Sequence, residues 1–557
     1  VMQIRMFRVC VEMNPRRLLL AVTVCFLAGV AAGYGFPQVG LGWCAAGLAV
    51  CGAWVALRRK AWRSGCVGAA DAVAVALALV LLGAGRVAWD AAGLARETET
   101  LKSLDKAQAF ECRVASAAVA RPVAGGGRMR YAFAVDGVTW LDGANRVPIR
   151  VLPMSVSWFG NAEDGPAAPK PGETWRMVGR VQVLTRTNGL EHAYLSASKG
   201  EKYSRRLSAA GDSWQGRLAQ VQRETARRVA LGVEDWGIVP ALNAALLFGC
   251  RNEIPDDMRN VFAMSGTVHV FAVSGLHIGL VAVILIFFVQ MSGLSRERWA
   301  FAMVPLIIAY TLVTGAFPSA VRACCMAVCI FLAPLLGRRP NAFSALLAAA
   351  LMIHFWQPSR VFQAGSVLSF SVTAGLIVLV PQLSAFLRKH LGYHALQKHM
   401  QLLDAAGTRA QARRVRFASV VVKRAADILA VSVAAWFVSV PLTGYYFGRV
   451  PIGGLFANPI VTVCAFLIIT AGFLGLLAGL ASPWVAVCFN HAAGFFTMVM
   501  VRTAEAVASV KVLSLETGPW AWWAVALWFA ALGVIVAWAR RCQRAADGLE
   551  WLEGQSV

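Results

Sequence analysis

A chain of 557 residues, 58% of them hydrophobic and with mean hydropathy +0.60, is no ordinary soluble enzyme. Its formal net charge of +24 comes from 53 Lys and Arg against 29 Asp and Glu. Basic membrane-facing loops or a polyanionic partner would each account for that excess. Stretches of ~17–25 apolar residues recur, each long enough to cross a bilayer. The chain therefore reads as mainly α: a polytopic helical membrane protein with one sizeable polar insert.

Residues 1–17 are basic, with Arg5, Arg8, Arg16 and Arg17. The chain begins with Val, which suggests a nonstandard start or a trimmed fragment. Spans are expected at 18–36, 39–57 and 71–90, together a three-span segment 1–90. The first is too long for a signal peptide and reads as an anchor. Basic clusters such as RRKAWR at 58–63 favour the cytoplasm, so the chain emerges outside after the third span.

Residues 91–235 are polar enough to fold in water, and 91–206 form the candidate β domain. Five segments alternate with period two: AFECRVASAAV, RMRYAFAVDGVTWL, VPIRVLPMSV, ETWRMVGRVQVL and EHAYLSAS. Turn signals separate them, at GGG 125–127, DG 142–143, PAAPKPG 166–172 and NG 188–189. Five short strands suit a small antiparallel barrel, OB-like and extracytoplasmic. Tyr131, Phe133, Trp158 and Trp175 are either its core or stacking surfaces for bases. Cys112 is alone in the insert and cannot close a disulfide within it.

Residues 207–267 read as amphipathic or interfacial helices, with Arg217, Arg223, Arg227 and Arg228 on one polar side and Asn243 and Arg251 further on. Nine more spans are expected at 268–290, 300–316, 319–337, 341–356, 361–380, 427–447, 452–478, 483–507 and 519–539. That makes about twelve, and 268–545 one membrane domain. The basic connections fall on the cytoplasmic side, so both termini are expected there. The loop at 381–426 holds nine Lys and Arg against Asp404, and reads as an amphipathic helix on anionic lipid or against a polyanion. His390, His394 and His399 lie in it without an acidic or Cys ligand, and no metal or cofactor is expected.

Polar residues inside apolar runs are costly and face a protein interior or a wet path. MSGTVHVFAVSGLHIGL, 264–280, holds His269, Ser274 and His277. On a regular helix the two histidines would lie about 80° apart, and Ser274 could touch His277. Arg322 follows a Pro-Ser turn; it is either a snorkelling interfacial residue or part of an anion-passing lining. Asn458 lies in a Pro- and Gly-broken connection, tolerated where backbone lines a cavity or is covered by protein. Hydrogen bonding between packed spans would explain each of them equally.

Five ordered segments carry a resemblance: NAALLFGCRNEIP, SGTVHVFAVSGLHIGL, GAFPSAVRACCMA, VLSFSVTAGL and VPLTGYYFGRVPIGGLFANPIV. Together they resemble the ComEC family of DNA internalisation proteins of natural transformation. The resemblance implies a channel in the bacterial inner membrane that passes one DNA strand. It implies His269, Ser274, His277, Arg322, Asn458, Arg251 and Asn243 in or beside the path. It also implies a DNA receptor, a cytoplasmic ATPase and single-stranded DNA as partners, with membrane lipid around them. Many members carry a C-terminal metallo-β-lactamase-like nuclease domain. This chain has eight histidines and no HxHxDH, so a channel without its own nuclease or other enzymatic activity is expected, with a separate nuclease. An intramembrane hydrolase using Ser274 and a histidine, or a small-anion transporter, are the alternatives.

Overall fold

The computed structural model describes residues 15–35, 69–104, 106–115, 118–123, 128–142, 145–149, 154–161, 168–185, 191–198, 203–208, 214–250, 254–271, 275–295, 298–405 and 409–553. The span expected at 39–57 lies outside them. The rest is mainly helical, with a β-rich region after the first two helices.

Helix α1 (Pro15–Gly35) packs on α2 (Ala69–Lys102). At ~1.5 Å per residue α2 is about 50 Å long, well beyond the ~30 Å of a bilayer core. Its far end enters the β domain, where Leu101 is buried and Leu94 packs alongside. One continuous helix thus joins an apolar stretch to the β-rich region.

Eight strands follow: β1 (Gln108–Val114), β2 (Val119–Pro122), β3 (Arg128–Asp142), β4 (Asn145–Ile149), β5 (Met154–Asn161), β6 (Thr174–Thr185), β7 (Glu191–Ser198) and β8 (Ser204–Ser208). The order β1-β3-β5-β7-β6 closes on itself, because β1 pairs with β6 as well as β3. All pairs in the ring are antiparallel except β5 with β7. Closure leaves the ring no unpaired edge. Alternation puts Phe110, Cys112, Val114, Tyr131, Phe133, Trp158 and Leu195 inside. Tyr131, Phe133 and Trp158 are therefore core, not stacking surfaces; Trp175 is half-buried and donates to Glu173 at 2.8 Å.

The helical region begins with α3 (Trp214–Ala230) and α4 (Val239–Phe248). A helix that is apolar all round is a buried one. Accordingly, eight of the ten α4 positions are buried, and α4 packs on α13 (Gly454–Ala478) and α14 (Pro483–Ala508). The exposed carbonyls that end α3 need partners. Asn490 on α14 donates through Nδ2 to Arg228 O at 2.9 Å and Leu231 O at 3.0 Å. His491 Nε2 lies 2.8 Å from Gly232 O, and Trp236 stacks on its ring at 5.3 Å.

Next come α5 (Asp256–Met264), a 3-10 turn at Val268–Phe271, α6 (Gly275–Met291), α7 (Trp299–Val313), α8 (Pro318–Leu332) and α9 (Ala342–Trp356). Then follow α10 (Ala364–His390), α11 (Tyr393–Ala405), α12 (Arg409–Phe447), the short strand pair β9 (Arg449–Pro451) and β10 (Ser514–Glu516), and α15 (Trp522–Glu553). The basic segment 381–426 is helical almost throughout, and Arg388 Nη2 pairs with Asp427 at 2.5 Å across it.

Among the described residues six helices are long and apolar enough to cross a membrane: α2, α10, α12, α13, α14 and α15. Helices α1, α4 and α6–α9 carry shorter apolar stretches of 10–17 residues. Pro318, which opens α8, and the 3-10 turn at Pro358 fall between expected spans, whereas the 3-10 turn at Pro334 falls inside the one expected at 319–337. The run at 268–290 is likewise not one regular helix, so His269 and His277 stand on different elements.

Candidate functional site

Arg322 owes its position to the turn before α8. Gly315 (φ +87°) and Ala316 (φ +47°) are both left-handed, and Ala316 is the one non-glycine residue in that region among those described. Such a residue costs of order 1–3 kcal/mol unless its surroundings hold it. Gly249 at the end of α4 is what the turn rests on. A Cβ at Gly249 would meet Phe317 at 2.6 Å and Thr314 O at 2.9 Å, and its φ of +74° also favours glycine.

One turn into α8, Arg322 is 6% exposed. Its Nη2 donates to Gly365 O on α10 at 2.9 Å, and its Cζ lies 5.9 Å from the centre of the Phe370 ring. Its Nε is buried without a partner. His354, on α9, is buried against the same ring at 5.3 Å. Its Nδ1 lies 2.8 Å from Ala350 O, so the proton is on Nδ1, and Nε2 accepts from Ser366 Oγ at 3.1 Å. Arg360 is close enough to add its charge to the field at both Arg322 and His354. Ion pairs in the helical region include Arg388–Asp427 and Arg449–Glu516; among the described residues neither Arg322 nor Arg360 is in one.

A second polar group lies where α4, α13, α14 and the turn at 265–271 meet. Asn243 is fully buried; Thr497 Oγ1 stands 2.5 Å from its Oδ1 and 2.9 Å from Ala493 O, and the amide Nδ2 has no partner. Asn458 Oδ1 is buried and unpartnered as well. The adjoining residues Leu242 and Ala457 belong to one apolar cluster with Val270 and Phe271. Ser265 and Thr267, both fully buried, bond each other at 2.7 Å. Gly266 between them (φ +76°) admits no side chain, since a Cβ would stand 2.8 Å from Pro451 and 3.2 Å from Gly454.

The start of α6 adjoins the first group. Gly275 faces Ala323, and Ile278 packs with Ala320 and Cys324. His277 is 1% exposed there, whereas His269 is exposed on its 3-10 turn. Ser274 and Arg251 lie outside the described residues. The structure thus brings Asn243, Asn458 and the 265–271 turn together, and sets Arg322 apart with His354. A groove of about 510 Å³ between α3 and α13, lined by Gln220, Glu224, Arg228 and Leu476 among others, touches none of the candidate residues.

Sequence reasoning missed His354, Arg360, Thr497 and Asn490. His354 sits in ALMIHFW and Asn490 in VCFNHAAG, apolar runs of the kind that singled out His269 and His277. The same test of a polar residue at membrane depth finds them.

A family model described as Competence protein matches residues 246–542, more than half of the chain, and takes in both polar groups from Leu246 onward. Over 142 residues the chain is 30% identical to ComE operon protein 3 of Bacillus subtilis (strain 168). That match covers 26% of this chain and 18% of the relative, so it spans about a fifth of the relative's length. No solved structure matches. The chain belongs to the competence protein family.

Proposed function

We propose that this protein carries a single strand of DNA across the bacterial inner membrane during natural transformation. The observation that carries this reading is the set of buried, unpartnered polar atoms inside an apolar helical body, on Asn243, Arg322 and Asn458, in a chain of this family. A polyphosphate strand cannot cross hydrocarbon, so it needs a hydrated route with positive charge along it. A passage indifferent to sequence needs contacts to phosphate and to base faces rather than to base edges.

In this reading the chain crosses the membrane about twelve times, with both termini in the cytoplasm. The closed ring β1-β3-β5-β7-β6, with its one parallel pair, supports an OB-like barrel, held outside on α2 to receive the incoming strand. His269, Ser274, His277 and Arg251 border the path with the three residues above. A DNA receptor, a cytoplasmic ATPase and a separate nuclease act with the channel. The test is a strain lacking only this chain, given labelled DNA. Label should bind the surface and fail to reach the cytoplasm; undiminished cytoplasmic label refutes the proposal.

A further inference from the structure

We infer that Arg322, Arg360, His354 and Ser366 form a binding station for backbone phosphodiesters, at the end of the helical region nearest the β domain. The inference rests on the DNA-passage reading and adds to it three residues and a ligand chemistry. A guanidinium offers five donors in a rigid fork. At Arg322 only one of them, on Nη2, has an acceptor among the described residues, the Gly365 carbonyl. The Phe370 face is the other partner, and Nε is sealed in with nothing to donate to. A buried cation without a carboxylate is strongly unfavourable unless an anion joins it. A second arginine, Arg360, adds its charge where an acid would have relieved the first.

The backbone adds to the field. Arg322 is in the second turn of α8, and Gly365 and Ser366 are in the first turn of α10, so two helix N-termini converge here. Helix starts favour anions. Ser366 gives its hydroxyl proton to His354 Nε2, which leaves its oxygen fixed beside Arg322's partner Gly365. Location follows from α2. Arg86, paired with Asp90, also donates to Trp356 O at 3.1 Å, two residues from His354. Leu101, in the barrel core, lies fifteen residues further along the same helix, about 23 Å.

The test uses the full chain in nanodiscs of neutral phosphatidylcholine, binding a fluorescent oligo-dT across a salt series. Each lost phosphate contact lowers the slope of log affinity against log salt by about 0.7. Arg322→Gln and Arg360→Gln should each do so, Arg322→Lys should weaken binding while keeping the slope, and Ser366→Ala should weaken it less. Unchanged slopes in both Gln variants overturn the inference. Should Arg322→Gln lose its fold, judged by trypsin resistance, the half-buried Arg360→Gln decides alone. A lipid headgroup offers the same chemistry. If anionic phosphatidylglycerol stabilises the wild type and not the variants, while their DNA slopes match, the ligand is lipid and the inference fails. Uptake in cells separates the two proposals. If deletion of the chain spares uptake, DNA passage is wrong; if deletion abolishes uptake and both Gln variants restore it fully, only the station is wrong.

Discussion

Glu111 in the β domain holds Arg176 at 2.8 Å and Arg146 at 3.5 Å, Glu173 takes Arg206 and the Trp175 indole, and buried Trp158 donates to Ser204 at 3.1 Å. In the helical region Arg322, Asn243, Gln382, Asn458 and Asn490 each bury an atom with no partner. Unsatisfied buried polar atoms are rare because each forfeits water without replacing it. The β domain pairs the polar groups it buries, Glu173, His192 and Ser204 among them, as a structural module should. The helical region keeps polar atoms where apolar ones would pack as well. That contrast is why the proposed passage runs through the helices, with the β domain proposed as the part that receives the strand.

Substitutions sharpen the contrast from opposite ends. The largest loss should follow Trp158→Ala, which empties the barrel core and removes the Ser204 bond; about 3–5 kcal/mol is expected. Rapid tryptic cleavage within 91–206 in membranes would report it, and wild-type resistance would contradict it. Asn490→Ala leaves the carbonyls of Arg228 and Leu231 bare and should cost about 1–3 kcal/mol, read as a lower unfolding temperature of the whole chain. Asn243→Leu should stay within about 1 kcal/mol of wild type, because it replaces a half-satisfied amide with an apolar side chain of similar size. DNA uptake should nevertheless fall tenfold or more. Normal uptake in a stable Asn243→Leu protein would make that amide mere packing.

Smaller effects are expected at the surface. Arg146→Ala breaks an ion pair whose arginine is 67% exposed and should shift stability by less than about 1 kcal/mol. The Cys112 thiol is pushed up to about 12, by burial first and then by the charge of Asp136, from an ordinary value of 9.0. The unfolded thiol ionises at lower pH than the folded one. The β domain should therefore lose stability as pH rises from about 9 towards 12, and be indifferent to this group below 9. Iodoacetamide at pH 8.5 should label Cys112 only after the domain opens.

Much of the β domain was legible because alternation survives burial: inward positions of β1 and β3 match the period-two pattern. Its finer division was not. VPIRVLPMSV reads as one strand, but Pro148 and Pro153 fall within it, and it divides between β4 and β5. Closure by β1 and β6 depends on a pairing some 65 residues apart, which no local pattern carries. In the helical region hydropathy finds apolar runs but not every break within them, such as the 3-10 turn at Val268–Phe271 before α6. Candidate residues were visible as polar letters in apolar text. Their grouping was not, since Arg322 and His354 meet through Gly365, Ser366 and Phe370 on a third helix.

The central claim is that these partnerless groups border water rather than dry packing. Single cysteines at positions 458 and 360, in a chain cleared of its native cysteines, can be probed with a charged, membrane-impermeant maleimide during DNA uptake. Position 466, where Phe466 is 44% exposed on the same helix as Asn458, serves as the apolar control. The account predicts labelling at 458 and 360, slowed by added oligo-dT, and none at 466. Silence at both sites, with an exposed-loop cysteine labelled in parallel, would contradict it.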